Sequence, residues 1–292
     1  MAFPKNGVVE APKIVPSAFG LLAVVDIENS TDEDHWVRGF SQEWETDLYA
    51  LYNVDDTNSN ETQIAGSGNV NYYDEIKPFF IEVQEDRSTL GFMGIDRIAR
   101  IKRQCDATSQ RAIEEELWDG AIRKGTSHAN RALTSTGVTI LNGGTAVSPK
   151  RALALLEQGI AEASHAGEQG IIHATRDVVA LLSSNSQMLF HNKIKDHLQT
   201  MGGTPVVVGS GYTGTGPDGA TGATASLTNK WVYATGTVRV FLGDVDVVND
   251  NLAQGYDVAG NQNDMRLKAI RPAAAYFDTS IHLAVRVDLT AA

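Results

Sequence analysis

Apolar or small side chains recur at Ile98, Ile101, Cys105, Thr108 and Ala112, in alternating steps of three and four with no Pro or Gly between them. Such positions share one face of a helix, and the spacing predicts one helix over residues 96–119, about 36 Å long at the standard rise. Its charges run against its own dipole. Arg97, Arg100, Lys102 and Arg103 open it, whereas Glu114, Glu115, Glu116 and Asp119 close it. A helix macrodipole prefers acids first and bases last, by roughly 0.3–1 kcal/mol per exposed charge. The helix is therefore either a solvated face supported by i,i+4 pairs such as Asp96–Arg100, or an element whose ends meet oppositely charged neighbours.

Two-residue alternation marks the strands. Phe79, Ile81 and Val83 alternate with Phe80, Glu82 and Gln84, and an earlier aromatic-rich run holds Leu48, Tyr49, Ala50, Leu51 and Tyr52. With the polar stretch 55–71 between them, these predict a long hairpin over residues 46–84 with a flexible tip. A two-stranded hairpin is marginal in water by itself, so this one rests on a surface, of its own domain or of another molecule. Ahead of it, residues 1–45 lack helical periodicity and hold Pro4, Pro12 and Pro16, which predicts an extended arm that buries little within its own chain.

Further along, Val138, Ile140 and Leu141 precede Gly143-Gly144, and Ser148-Pro149 reads as a helix start, with Leu153, Leu156, Ile160 and Ala163 continuing to Gly167. Ile171-Ile172 predicts a short buried strand, and Thr175 opens a helix through Val178 and Leu182. Leu189, Ile194 and Leu198 suggest one more helix, ending at Gly202-Gly203. Residues 205–209 form a strand, followed by a loop of Gly, Thr, Ser and Ala. Residues 231–248 read as strands with Val238, Val240 and Leu242 on one face, and 281–289 alternate with Leu283, Val285, Val287 and Leu289 inward and Arg286 and Asp288 outward. A strand of that kind near the chain's end is tied into a sheet with earlier residues.

The chain has 292 residues, 42% of them hydrophobic and 21% charged, which is ordinary for a globular protein. A formal net charge of -12 argues against electrostatic wrapping of nucleic acid, which needs clustered cations. Cys105 is the sole cysteine, so neither an intramolecular disulfide nor a cysteine-based metal cluster can form; on the helix's apolar stripe it reads as a small buried hydrophobe. No run of 18 apolar residues predicts a membrane span. Residues 14–25 could pose as a signal sequence, but Pro16 and Gly20 interrupt them and acids follow where a cleavage site would stand.

Gly209-Ser-Gly211-Tyr-Thr-Gly214 is a G-x-G-x-x-G directly after a predicted strand. In a dinucleotide site those glycines admit a pyrophosphate and open a helix that holds it, but no helical pattern follows before Trp231, so a glycine-rich surface loop is the better reading. His191 and His197 are six residues apart and do not share a helical face; they read as surface residues of the helix predicted there. Neither a Walker motif nor a G-x-S-x-G elbow occurs, and acidic pairs such as Asp55-Asp56 or Asp244 and Asp246 lack a shaped surrounding. No catalytic residue, cofactor or metal is expected, and the chain reads as a non-enzyme.

The order of parts, together with Glu114-Glu-Glu-Leu-Trp118-Asp-Gly, Gly170-Ile-Ile-His-Ala174, Gly203-Thr-Pro-Val-Val-Val-Gly-Ser-Gly-Tyr212 and Lys230-Trp-Val-Tyr-Ala-Thr-Gly-Thr-Val238, resembles the major capsid proteins of tailed bacteriophages, especially phages of actinobacteria. The resemblance covers essentially the whole chain. It implies the α+β Hong Kong 97-type fold: an N-terminal arm over 1–45, an extended hairpin loop over 46–85, a peripheral domain over 86–148 with the spine helix 96–119, an axial domain over 149–255, and a peripheral return strand over 256–292. It further implies self-assembly into hexamers and pentamers of an icosahedral head enclosing double-stranded DNA without sequence-specific binding, in a virion put together in the host cytoplasm. Partners would be many copies of itself, a portal protein, scaffolding from a separate protein and a decoration protein, with no membrane. The arm and hairpin would lie over adjacent subunits, and the glycine-rich loop would approach the capsomer axis. Candidate inter-subunit contacts are Trp44, Tyr49, Tyr52, Tyr72, Tyr73, Phe79, Phe80, Arg97, Arg100, Arg103, Glu114, Glu115 and Tyr212. Some relatives join subunits by a Lys–Asn bond from the hairpin; here Lys77, at the base of the returning arm, is the hairpin's only lysine, which argues against cross-linking. Two alternatives stay open: an encapsulin-type compartment shell, which shares the fold, and a nucleotide-binding enzyme using Gly209–Gly214.

Overall fold

The computed structural model describes residues 17–31, 36, 43–44, 71–72, 76–88, 97–120, 130–163, 170–186, 189–192, 197–249 and 264–291. Two sheets share one long helix. The larger has seven strands: β5 (Thr139–Ile140), β14 (His282–Asp288), β10 (Asn229–Thr235), β6 (Ile171–Thr175), β9 (Pro205–Gly209), β8 (His197–Thr200) and β7 (Leu189–Asn192), in that spatial order. Its central strands are covered on both sides. Ile172, Ala174, Val206, Val208, Val232, Val285 and Val287 meet helices α2 (Pro149–Ala163) and α3 (Arg176–Ser186) through Leu153, Leu156, Ile160, Val178 and Leu182. Ile171, Val207, Trp231, Tyr233 and Ala284 face the other way, onto Ile113, Leu117 and Trp118 of α1 (Arg97–Asp119). A strand covered on both faces reads as a continuous apolar run, which is why β6 showed no alternation.

The five-stranded sheet is organised by β13 (Asp264–Phe277). β4 (Phe79–Ser88) runs antiparallel along one side of it through ten register pairs, from Phe79–Ala273 to Ser88–Asp264. β11 (Val238–Leu242) and β12 (Asp246–Asn249) share the other side, and β1 (Asp26–Asn29) adds in parallel to β11. Helix α1 lies on the face bearing Phe79, Ile81, Val240, Leu267, Ala269, Ala273 and Ala275. α1 is thus the layer between the sheets, meeting the five-stranded sheet along its length and the seven-stranded sheet near its C-terminal end.

The contact line of α1 differs from the predicted stripe. Ile101, Cys105, Ser109, Ile113 and Leu117 are buried, while Ile98 is 53% exposed. These steps are all of four, a ridge inclined about 26° to the helix axis, which is how a helix lies obliquely on a neighbour. Cys105 is fully buried beside Leu267 and Ala269, and burial raises its thiol pKa, as expected of an inert small hydrophobe.

Three other expectations are corrected. The returning hairpin arm does not need another molecule: Phe79, Ile81 and Val83 turn into the chain's own core while β13 satisfies its ladder. The predicted outgoing arm and tip lie outside the described residues, apart from the antiparallel pairing of β2 (Glu43–Trp44) with β3 (Asn71–Tyr72). The arm is not wholly a strap: residues 17–31 pack within the chain, with a 3-10 turn at Leu21–Ala23 and Leu21 at 0% exposure in the central cluster. The helix expected through Leu198 is instead an antiparallel pair, β7 with β8, in register from Leu189–Thr200 to Asn192–His197. Leu189, Ile194 and Leu198 are five and four apart, and Leu189 and Leu198 sit on facing strands against the α2–α3 layer. Strands distant in the chain share each sheet: β11 and β12 join the five-stranded sheet with β4 and β13, whereas β14 joins the seven-stranded sheet.

Because Leu21 is a core residue, Leu21→Ala should cost the chain about 2–5 kcal/mol, as a buried leucine does. Urea denaturation of wild type and variant measures this; an unchanged midpoint would mean that the arm contributes nothing to its own chain.

Candidate functional site

The acidic end of α1, the arm and the glycine-rich loop converge on Glu114, which is 0% exposed. Its Oε1 accepts from the Leu21 N–H at 2.9 Å and from Gln110 Nε2 at 3.2 Å. Its Oε2 accepts from the N–H groups of Ser210 (2.6 Å) and Gly211 (2.9 Å), and from Ser210 Oγ (3.0 Å). Five donors on one carboxylate replace the water it gives up on burial; such bonds to a charged group contribute roughly 1.5–3 kcal/mol each. Glu114, at the wrong end of the dipole, therefore meets neutral N–H and O–H donors and not the cations anticipated from the charge pattern. Asp119 follows the same rule: Oδ2 accepts from Thr213 Oγ1 at 3.0 Å and Oδ1 from Thr215 Oγ1 at 2.7 Å. Glu115 instead pairs with Arg111 at 2.8 Å in an exposed i,i+4 contact of small energetic weight.

The glycines make this approach possible. A Cβ on Gly211 would stand 2.5 Å from the carbonyl oxygen of Arg111 and 2.9 Å from Cβ of Glu114, so only a glycine lets the loop backbone lie on the helix. On the opposite side, a Cβ on Gly20 would stand 1.6 Å from Gln110 Nε2. From Gly211 to Pro217 the loop is largely no surface loop, whereas residues 218–228 lie at the surface as expected. Tyr212, Gly214, Gly216 and Pro217 are buried, and the polar ends of three buried aromatics bond to it. Trp118 Nε1 donates to Thr215 Oγ1 (3.0 Å), Tyr233 Oη to the Thr215 carbonyl (3.0 Å) and Trp231 Nε1 to the Gly222 carbonyl (2.9 Å).

Tyr212 anchors the loop to the seven-stranded sheet. Its ring lies 4.6 Å from that of Trp118, and its hydroxyl is 2.8 Å from His173 Nδ1. Burial, and next the Glu114 carboxylate, hold the phenol well above its ordinary pKa, so it remains a donor. His173 Nε2 lies 2.9 Å from Thr235 Oγ1, which donates to the Gly236 carbonyl. Only one direction satisfies this chain: Tyr212 O–H to Nδ1, Nε2–H to Thr235, Thr235 O–H to Gly236, with the imidazole neutral. Burial, with His282 nearby as the second cause, lowers the His173 pKa to about 3.

The predicted contact residues divide. Phe79, Glu114 and Tyr212 are buried within their own chain. Phe80 is 63% exposed, Arg103 is exposed, and Arg97, Arg100 and Glu115 are partly exposed. Trp44 and Tyr72 lie on β2 and β3, and Tyr49, Tyr52 and Tyr73 lie outside the described residues. Sequence reasoning missed Leu21, Gly20 and the pairing of Glu114 with Gly211. The available signal was a surplus of acceptors at a helix end and a surplus of N–H donors in a glycine loop with no helix to use them. A nucleotide reading is disfavoured on the same ground, since the N–H groups of Ser210 and Gly211 already hold Glu114. Among the described residues no cluster of three His, Cys, Asp or Glu suits a metal.

Gly211→Ala should destabilise the fold by about 1–3 kcal/mol through overpacking, read as a lowered denaturation midpoint. Acid provides a second check. His173 binds fewer protons folded than unfolded from about pH 6.5 down to about 3, so its contribution is intact above pH 6.5 and lost as pH falls. The slope approaches about 1.4 kcal/mol per pH unit. Stability measured at pH 7, 6 and 5 should fall less steeply in His173→Gln than in wild type.

No protein-family model and no curated protein matches the chain. Solved structures match it across nearly all of its length. The capsid of an empty GTA particle aligns at a TM-score of 0.58 and 12% identity, covering 100% of this chain and 96% of that one. A chain of Mycobacterium phage Adephagia aligns at 0.55 and 11% identity, covering 97% and 94%. One of Microbacterium phage Oxtober96 aligns at 0.55 and 12%, covering 99% and 95%. With its two sheets about a long helix, the chain has the α+β fold of tailed-phage major capsid proteins.

Proposed function

We propose that this chain is a major capsid protein that self-assembles into the hexamers and pentamers of an icosahedral phage head around double-stranded DNA. The observation that carries the reading is the alignment with the capsid of an empty GTA particle over all of this chain and nearly all of that one. Three surface features support it. Phe80, Ile98 and Val248 are large apolar side chains left in water by the single copy. The edge strands β5 and β7 of the larger sheet hold only two and four residues, so that sheet offers little ladder for uncontrolled edge pairing. The start of α1 carries four cations, of which Lys102 and Arg103 are exposed and Arg97 and Arg100 partly so.

In this reading the peripheral role falls to α1 with the five-stranded sheet, and the axial role to the seven-stranded sheet with α2 and α3. The surfaces around Phe80 and the start of α1 meet neighbouring copies, as do Trp44, Tyr49, Tyr52, Tyr72 and Tyr73. Each contact is modest, and one copy held by several neighbours gains by multivalency while closed symmetry limits growth. A portal, a separate scaffolding protein and a decoration protein complete the set, with assembly in the host cytoplasm.

Copies carrying a net charge of -12 repel one another unless salt screens them. The Debye length shortens from about 30 Å at 0.01 M salt to about 8 Å at 0.15 M. Sedimentation velocity and negative-stain microscopy of the purified chain should show capsomers or closed shells whose yield rises over that range. A chain that sediments as a monomer at every concentration and salt level overturns the proposal.

A further inference from the structure

Glu114 joins two segments of the chain that are about ninety residues away from it on either side. One oxygen faces the arm: it accepts from the Leu21 N–H and from Gln110, whose amide also reaches the Ser17 carbonyl at 3.4 Å. The other faces the loop and accepts from Ser210 and Gly211. A further backbone bond, from the Val208 N–H to the Phe19 carbonyl at 2.8 Å, ties the arm to the strand that leads into the loop. Gly20 and Gly211 close on the helix from the two sides, each too near for a Cβ.

We propose that Glu114 is a coupling latch, so that the docking of residues 17–25 and the ordering of residues 209–216 are one cooperative event. The physical cause is the buried carboxylate. If the arm lifts, Oε1 loses its backbone donor inside an apolar cluster, and the carboxylate must turn towards water to recover it. Turning withdraws Oε2 from Ser210 and Gly211, whose N–H groups then lose their acceptor, and the loop follows. The same sequence runs in reverse from the loop to the arm, because a coupling free energy is reciprocal. Tyr212 extends the linkage through His173 to Thr235 in the seven-stranded sheet. Its consequence rests on the shell-forming proposal: a neighbouring copy that draws the arm away releases the loop of the same subunit, so one contact alters the surface offered to the next. The coupling itself belongs to the free chain and stands or falls separately from assembly.

Native-state hydrogen exchange on the full wild-type chain, in low concentrations of urea, tests it. The amides of Leu21, Ser210 and Gly211 should share one protection factor within threefold and one urea dependence, distinct from the amides of α2 (Pro149–Ala163). Gly211→Ala, altered only in the loop, should lower the protection of the Leu21 amide at least tenfold, and Gly20→Ala should do the same to Ser210 and Gly211. Protection factors at Leu21 and Gly211 that differ more than tenfold in wild type overturn the latch. So does a Gly211→Ala chain, with α2 still protected, whose Leu21 amide exchanges at the wild-type rate.

Discussion

A carboxylate with no room for water has to find donors, and much of this molecule is arranged to supply them. Glu114 lies where α1 passes between two sheets, too deep for solvent. Its five acceptor contacts come from the preceding turn of its own helix, from the arm and from the glycine-rich loop. Those segments cannot be placed independently. The loop backbone must touch the helix, so Gly211 has no side chain; the arm must reach from the other side, so neither has Gly20.

The reversed charge of α1 follows from the same constraint. An exposed helix with acids in its last turn loses a few tenths of a kcal/mol per charge to its dipole. Two of the acids here are offset by bonds the dipole does not control, Glu114 by backbone N–H groups and Asp119 by the hydroxyls of Thr213 and Thr215. The aromatic layer above them repeats the pattern. Trp118, Trp231 and Tyr233 each bury a ring and direct one polar atom to the loop, so a segment with scarcely any apolar side chains becomes part of the core. Loops rich in glycine ordinarily lie on the surface because their backbone groups need water; in the buried half of this one several of the groups have internal partners.

A short motif changes meaning in this setting. G-x-G-x-x-G after a strand offers N–H groups to an anion, and in this fold they do bind one, but the anion is a side chain of the same molecule. The arrangement links the glycine-rich loop to the long helix between the two sheets.

Periodicity along the chain was sufficient wherever one face is buried and the other wet. It placed α1 within a residue, the alternation of Phe79, Ile81 and Val83, the start of α2 after Ser148, and the terminal strand with Leu283, Val285 and Val287 inward. The order of parts was enough for the fold class. What local pattern could not decide was pairing between distant segments. The β7–β8 pair was mistaken for a helix because two leucines nine residues apart satisfy either arrangement until a facing strand is specified. The arm looked unanchored because the elements that the Leu21–Ala23 turn meets, α1 and β9, come far later in the chain. Whether Glu114 faces solvent, a neighbour or its own loop depends on how α1 is rotated, and an i+4 ridge packed obliquely on a sheet settles that rotation only in three dimensions. The one-dimensional pattern thus determined which elements exist and what architecture they build; the tertiary structure decided which polar groups meet, because hydrogen-bond partners are chosen by packing and not by spacing along the chain.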